Sequence, residues 1–232
     1  MTGKTTAIEG KDGTFTGYLA SPASGRGPGV LVIQEIFGVN QVMRDIADSL
    51  ANRGFFALVP DLFWRLQPGV VLTDKTEAEW QQAFDLMKRF NIDKGVEDIQ
   101  AGIAVLRGLS GATGKVGAMG YCLGGQLAYL AATRTDSDAA IGYYGVSIQD
   151  RLDEAKHITH PLMLHIAEAD EFTPPDAQAR IEAALKDNPL VTLYRYPLMG
   201  HAFARMGGAH YDKANADLAD TRSETFLRRH LS

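Results

Sequence analysis

The chain has 232 residues, 45% of them hydrophobic and 22% charged, with a net charge of −5 at pH 7. That length suits one domain, spanning 1–232, with a sizeable core, and the slight acidity leaves no basic footprint for nucleic acid. A single cysteine, Cys122, excludes an intrachain disulfide framework, and no apolar run approaches the roughly 18 residues of a membrane span.

The N-terminus, Met1 to Thr6, has no apolar h-region, so a cytoplasmic protein is expected. Phe15 to Ala20 reads as an early strand, antiparallel and at an edge. Ser21 to Pro28 is a Gly/Pro/Ser loop, and Gly29 to Ile33 a buried parallel strand. Val42, Ile46, Ala47 and Leu50 form a helical stripe that ends near Gly54. Phe55 to Val59 is a second buried strand, followed by an irregular stretch from Trp64 to Thr73. Glu77 to Phe90 and Val96 to Leu106 carry helical periodicity. Then come a strand from Lys115 to Met119, an alanine-rich helix from Gln126 to Thr133, and a strand from Ala139 to Tyr144. Pro161 to Ala167 is a strand, Asp176 to Leu185 a helix, Val191 to Tyr196 the last strand, and a helix closes the chain. Strands alternating with helices predict an α/β fold with a mainly parallel twisted sheet covered on both faces.

Between the strand and helix around residue 122 stands Gly120-Tyr121-Cys122-Leu123-Gly124-Gly125. This is the strand–sharp turn–helix setting of a nucleophile elbow, with cysteine in the place of serine. A lone intracellular cysteine is more often a small core hydrophobe. Its glycine neighbours reverse that reading, because a nucleophile on a strained turn needs flanking residues without Cβ atoms. An acid and a base should follow in chain order. Asp170 lies just past the Pro161–Ala167 strand, where open α/β sheets place their ligands. His201 lies on a glycine-punctuated loop after the last strand. His165 reads as a satisfied core residue within its strand, and His210 and His230 as surface positions. His157 and His160 lack a cysteine or carboxylate cluster at ligand spacing, so no metal is expected.

Gln34-Glu35-Ile36-Phe37-Gly38-Val39-Asn40, Met43-Arg44, Pro60-Asp61-Leu62, the Cys122 motif, Gly142-Tyr143-Tyr144-Gly145 and Gly200-His201-Ala202-Phe203-Ala204-Arg205 together resemble the dienelactone hydrolases (carboxymethylenebutenolidases). The likeness runs from about residue 13 to the C-terminus. It implies an α/β-hydrolase fold and a Cys122–His201–Asp170 triad that opens dienelactone to maleylacetate, through an acyl-enzyme and without cofactor. It also implies that Glu35 contacts the resting thiol and takes its proton as substrate binds. Like charges repel, so Glu35 would hold Cys122 protonated and protected from oxidation. Ile36 and Leu123 would supply the backbone N–H groups of the oxyanion hole, and Phe37 and Tyr144 would border the substrate.

In that family two arginines hold the substrate carboxylate. One corresponds to Arg205, whereas the other falls at Trp80. A nearby tyrosine becomes Phe84, and the serine after the histidine becomes Ala202. Trp80 therefore either redirects the acyl pocket or packs on its own helix. The expected partner is a small lactone or ester, handled by a monomer with no nucleic-acid or membrane partner. A broader carboxylesterase or thioesterase with a less anionic substrate is the alternative within enzymes. A non-hydrolytic thiol redox sensor or binding protein is the alternative outside them.

Overall fold

The computed structural model describes residues 3–232. Its centre is an eight-stranded sheet in the order β1-β2-β4-β3-β5-β6-β7-β8. The strands are β1 (Lys4–Gly10), β2 (Gly13–Ala20), β3 (Gly27–Ile33), β4 (Phe56–Pro60), β5 (Ala112–Tyr121), β6 (Ala139–Tyr143), β7 (Leu162–Ala167) and β8 (Val191–Tyr196). From β4 to β8 every pairing is parallel. The hairpin β1–β2 and the β2–β4 pairing are antiparallel. β1 lies outside β2, so the strand expected at the edge is one place in from it. The reason is visible in Lys4–Gly10: of its residues only Ile8 is buried, and a half-solvated edge strand leaves no apolar run to read.

The helices are α1 (Gln41–Asn52), α2 (Glu77–Arg89), α3 (Ile92–Arg107), α4 (Leu123–Arg134), α5 (Pro175–Leu185) and α6 (Lys213–Leu231). Four of the starts are set by side-chain caps: Asn40 accepts from the Met43 N–H, Thr76 from Glu79, Asn91 from Lys94 and Asp212 from Asn215. The Asn91 cap begins α3 four residues ahead of the apolar stripe that starts at Val96. The irregular stretch after β4 is tied down by backbone bonds, Val39 N–H to Val70 C=O at 3.1 Å and Leu72 N–H to Phe37 C=O at 2.9 Å.

The central strands β3, β5, β6 and β7 are buried over most of their length, as a sheet covered on both faces demands. His165 in β7 is fully satisfied: Nδ1 pairs with the Tyr196 hydroxyl at 2.7 Å and Nε2 with the Ser223 hydroxyl at 2.9 Å. Ser223 Oγ in turn meets the Tyr143 hydroxyl at 2.6 Å. Burial, reinforced by the Arg222 charge, pushes the His165 ring down to about 3 and keeps it neutral. This polar row joins β6, β7, β8 and α6 beneath the loops that carry the candidate site.

Candidate active site

Cys122 stands between β5 and α4 at φ 57°, ψ −115°, a conformation that L side chains rarely adopt. Its N–H donates to Tyr143 C=O at 3.0 Å, and its carbonyl accepts from Gly125 N–H at 2.9 Å. The flanking glycines are sterically required. A Cβ on Gly120 would come within 1.9 Å of the Gly124 carbonyl oxygen, and one on Gly124 within 2.3 Å of the Ile33 carbonyl oxygen. Only bare backbone lets β5, the start of α4 and the end of β3 meet here.

The loops after β7 and β8 converge on the elbow. Asp170 Oδ2 accepts from His201 Nδ1 at 2.8 Å, and Asp170 Oδ1 accepts from the Phe172 N–H at 2.8 Å. Both side chains of the pair are buried. His201 Nε2 is also buried, and no partner among the described residues satisfies it. Burial disfavours the charged ring, but the nearby Cys122 sulfur and the Asp170 carboxylate outweigh it and push His201 up to about 10. The ring is held edge-on by Tyr144, with centroids 5.2 Å apart, and by Phe172 at 4.8 Å. The His201 carbonyl accepts a hydrogen bond from Nδ1 of His210 at 3.0 Å. His210 is therefore at the surface, as its sequence position implies, but it also buttresses this loop.

Glu35 is fully buried and its carboxylate is gripped at both oxygens by Arg205, Nε to Oε2 at 2.7 Å and Nη2 to Oε1 at 3.0 Å. Arg205 Nη1 donates to Asp74 Oδ2 at 3.2 Å, and the guanidinium lies 4.9 Å from the Phe37 ring centroid. No hydrogen bond joins Glu35 to Cys122 among the described residues. Glu35 is paired with Arg205 here, and three of the five guanidinium N–H groups are engaged within the protein, one each on Nε, Nη1 and Nη2.

Ile36 sits at the turn after β3, and Leu123 is the first residue of α4, where N–H groups lie ahead of the intrahelical ladder. Phe37, Trp80 and Phe84 form an aromatic row with centroid spacings of 4.9 and 5.5 Å. Trp80 Nε1 donates to the Asp74 carbonyl at 3.1 Å, so the indole is packed and anchored, and Phe84 is exposed. Val71, Phe172, Leu198 and Met206 are exposed too, all on loops beyond strand ends. The sequence reading missed Asp74, Phe172 and His210. Asp74 follows an irregular stretch with no periodicity. Phe172 stands two residues past Asp170 and offered the only positional cue.

A family model described as "Dienelactone hydrolase family" matches residues 15–231. Among curated proteins, a "Putative carboxymethylenebutenolidase" of Azospirillum brasilense is 48% identical, with 96% of each chain covered. A "Carboxymethylenebutenolidase" of Pseudomonas putida is 38% identical, covering 95% of this chain and 94% of that one. The solved structure titled "Putative Dienelactone Hydrolase" from Klebsiella pneumoniae superposes with a TM-score of 0.84 at 23% identity, over 97% of both chains. With the elbow, the parallel sheet and near-full-length relatives in agreement, the chain belongs to the dienelactone hydrolase family and is an α/β hydrolase acting on ester bonds.

Proposed function

We propose that this hydrolase opens a lactone or activated ester by acyl transfer through Cys122, His201 and Asp170. The observation that carries the reading is the buried, unsatisfied Nε2 of His201 beside an elbow cysteine, with Nδ1 fixed by Asp170. The raised proton affinity of His201, beside Cys122 and Asp170, supports Nε2 as the base that takes the thiol proton. The thiolate attacks the carbonyl carbon. Charge gathers on the carbonyl oxygen, where the N–H groups of Ile36 and Leu123 would receive it. The ring C–O bond then breaks and the leaving oxygen takes the proton from Nε2, giving a ring-opened thioester. Water loses a proton to Nε2, attacks the thioester and returns the cysteine as thiolate. The Arg205 partner compensates the Glu35 carboxylate, so the thiolate does not face an unpaired like charge.

The names of the relatives favour dienelactone as the substrate. One observation favours a less anionic ester or thioester: Arg205 already answers two carboxylates, Glu35 and Asp74, and the ring it lies against, Phe37, continues into the apolar row of Trp80 and Phe84. Steady-state kinetics on dienelactone isomers and 4-nitrophenyl esters decide between the two. A burst of 4-nitrophenol stoichiometric with enzyme supports the acyl-enzyme. Cys122→Ala protein that keeps the burst would overturn the triad.

A further inference from the structure

His201 relies on a side chain to hold its main chain. Among the described residues no backbone group bonds its N–H or its carbonyl. The carbonyl is held instead by Nδ1 of His210, nine residues on, at 3.0 Å. Ties to backbone lie on either side of it. Met199 C=O accepts from Ala169 N–H, next to Asp170, at 2.9 Å, and Phe203 C=O accepts at 2.9 Å from the N–H of Asp212, the cap of α6. The segment between also bends against preference. Leu198 and Ala202 both stand at φ 63°, a left-handed conformation that is costly for an L residue. Such backbone persists only where its surroundings hold it.

The His210 ring reaches that carbonyl across Gly200. A Cβ there would lie 3.3 Å from Nδ1 and 3.5 Å from Cγ, so the ring rests close against bare backbone. A carbonyl only accepts, so Nδ1 carries a proton, as it does in the imidazolium and in one neutral tautomer. The contact therefore survives a change of charge on His210. His210 is exposed and adds nothing to the core. The His201 ring is thus fixed at two points: Asp170 holds Nδ1, and His210 holds the backbone from which the ring hangs.

We infer that His210 is a positioning residue for the hydrolysis: its Nδ1–H pins the His201 main chain and so keeps Nε2 where it exchanges protons with the thiol, the leaving oxygen and water. The role rests on the reading of His201 as the base, and His210 itself transfers no proton. Steady-state kinetics on 4-nitrophenyl acetate test it with the intact enzyme. His210→Ala leaves Tm and KM unchanged and lowers kcat by roughly ten- to a hundredfold, the scale of a misplacement of about 1 Å. His210→Asn sets an amide N–H in the place of Nδ1 and has no titrating group; it recovers kcat to within about threefold and keeps the shape of the pH–rate profile. On a His201→Ala background, His210→Ala costs nothing more, because it acts only through His201. Wild-type kcat in His210→Ala overturns the inference and leaves the triad standing. So does an Asn variant as slow as the Ala variant, an Asn profile that has lost a titration, or a further loss on the His201→Ala background. Activity that survives in His201→Ala strikes the base itself, and the inference with it.

Discussion

Removing Arg205 should unsettle the fold before it touches specificity. The Glu35–Arg205 pair is buried on both sides, with side chains 1% and 8% exposed. In Arg205→Met the Glu35 carboxylate stays buried without a counter-charge, and Asp74 keeps only Lys75 of its two cations. Breaking such a pair from one side costs about 3–5 kcal/mol. For a chain of this size each kcal/mol moves Tm by about 2–4 °C, so a fall of roughly 6–20 °C is expected. Replacing both partners, in Glu35→Gln/Arg205→Met, removes the stranded charge and should recover most of the loss. Urea unfolding at pH 7 of wild type, both single variants and the double variant closes the cycle, with a coupling energy of about 2 kcal/mol or more. The same Arg205→Met protein should lose kcat/KM by similar factors on an anionic and a neutral substrate. The reasoning is wrong if the single variant stays within about 1 kcal/mol of wild type, if the two changes simply add, or if only the anionic substrate suffers.

Cys122→Ala should lower turnover by roughly a millionfold while circular dichroism and Tm hold; a tenth of the activity remaining would remove Cys122 as nucleophile. His201→Ala should cost more than Asp170→Asn, and the double variant little more than the histidine change alone; near-additive rate losses would deny a shared unit. The folded pKa of His201, about 10, lies above its ordinary 6.5. The stability it contributes is therefore complete below about pH 6.5 and drains away as pH rises towards 10. Urea midpoints of wild type and His201→Gln should converge over that window, and parallel curves would refute the charged ring. Gly124→Ala should destabilise by about 1–3 kcal/mol or more, because its Cβ meets backbone that cannot swing aside; an unchanged Tm would show that the elbow has room.

What the sequence disclosed depended on the kind of signal. Buried parallel strands such as Gly29–Ile33 and Pro161–Ala167 announce themselves as apolar runs. The elbow announces itself because steric demand is written as glycine at Gly120 and Gly124. The order of Cys122, Asp170 and His201 could be read, and the structure brings Asp170 and His201 into contact. β1 was hidden because an edge strand needs few apolar residues. The partners of Arg205 were hidden because a charge–charge pairing over 170 residues leaves no local pattern. The resemblance assigned Arg205 to a substrate anion and Glu35 to the thiol, and packing gives the two to each other. His165 was legible as a core residue from its strand, but not its hydroxyl partners, one of which lies 58 residues away.

The polar row through His165 has a direction. A neutral imidazole has one N–H and one lone pair, and each hydroxyl has a single proton to give. The Arg222 guanidinium lies over the Tyr194 and Tyr196 rings, 4.0 and 5.4 Å from their centroids, and its charge helps keep the imidazole neutral. Two arrangements satisfy every link: in one Tyr196 gives its proton to Nδ1, in the other Nδ1–H gives its proton to Tyr196. In the first the ring donates Nε2–H to Ser223 and Ser223 points at Tyr143; in the second Tyr143 donates to Ser223 and Ser223 to Nε2. The tautomer of a histidine in β7 and the rotor of a tyrosine at the end of β6 are thus one choice, not two. The row behaves as one polarised chain, and inverting any link would oblige all the others to turn.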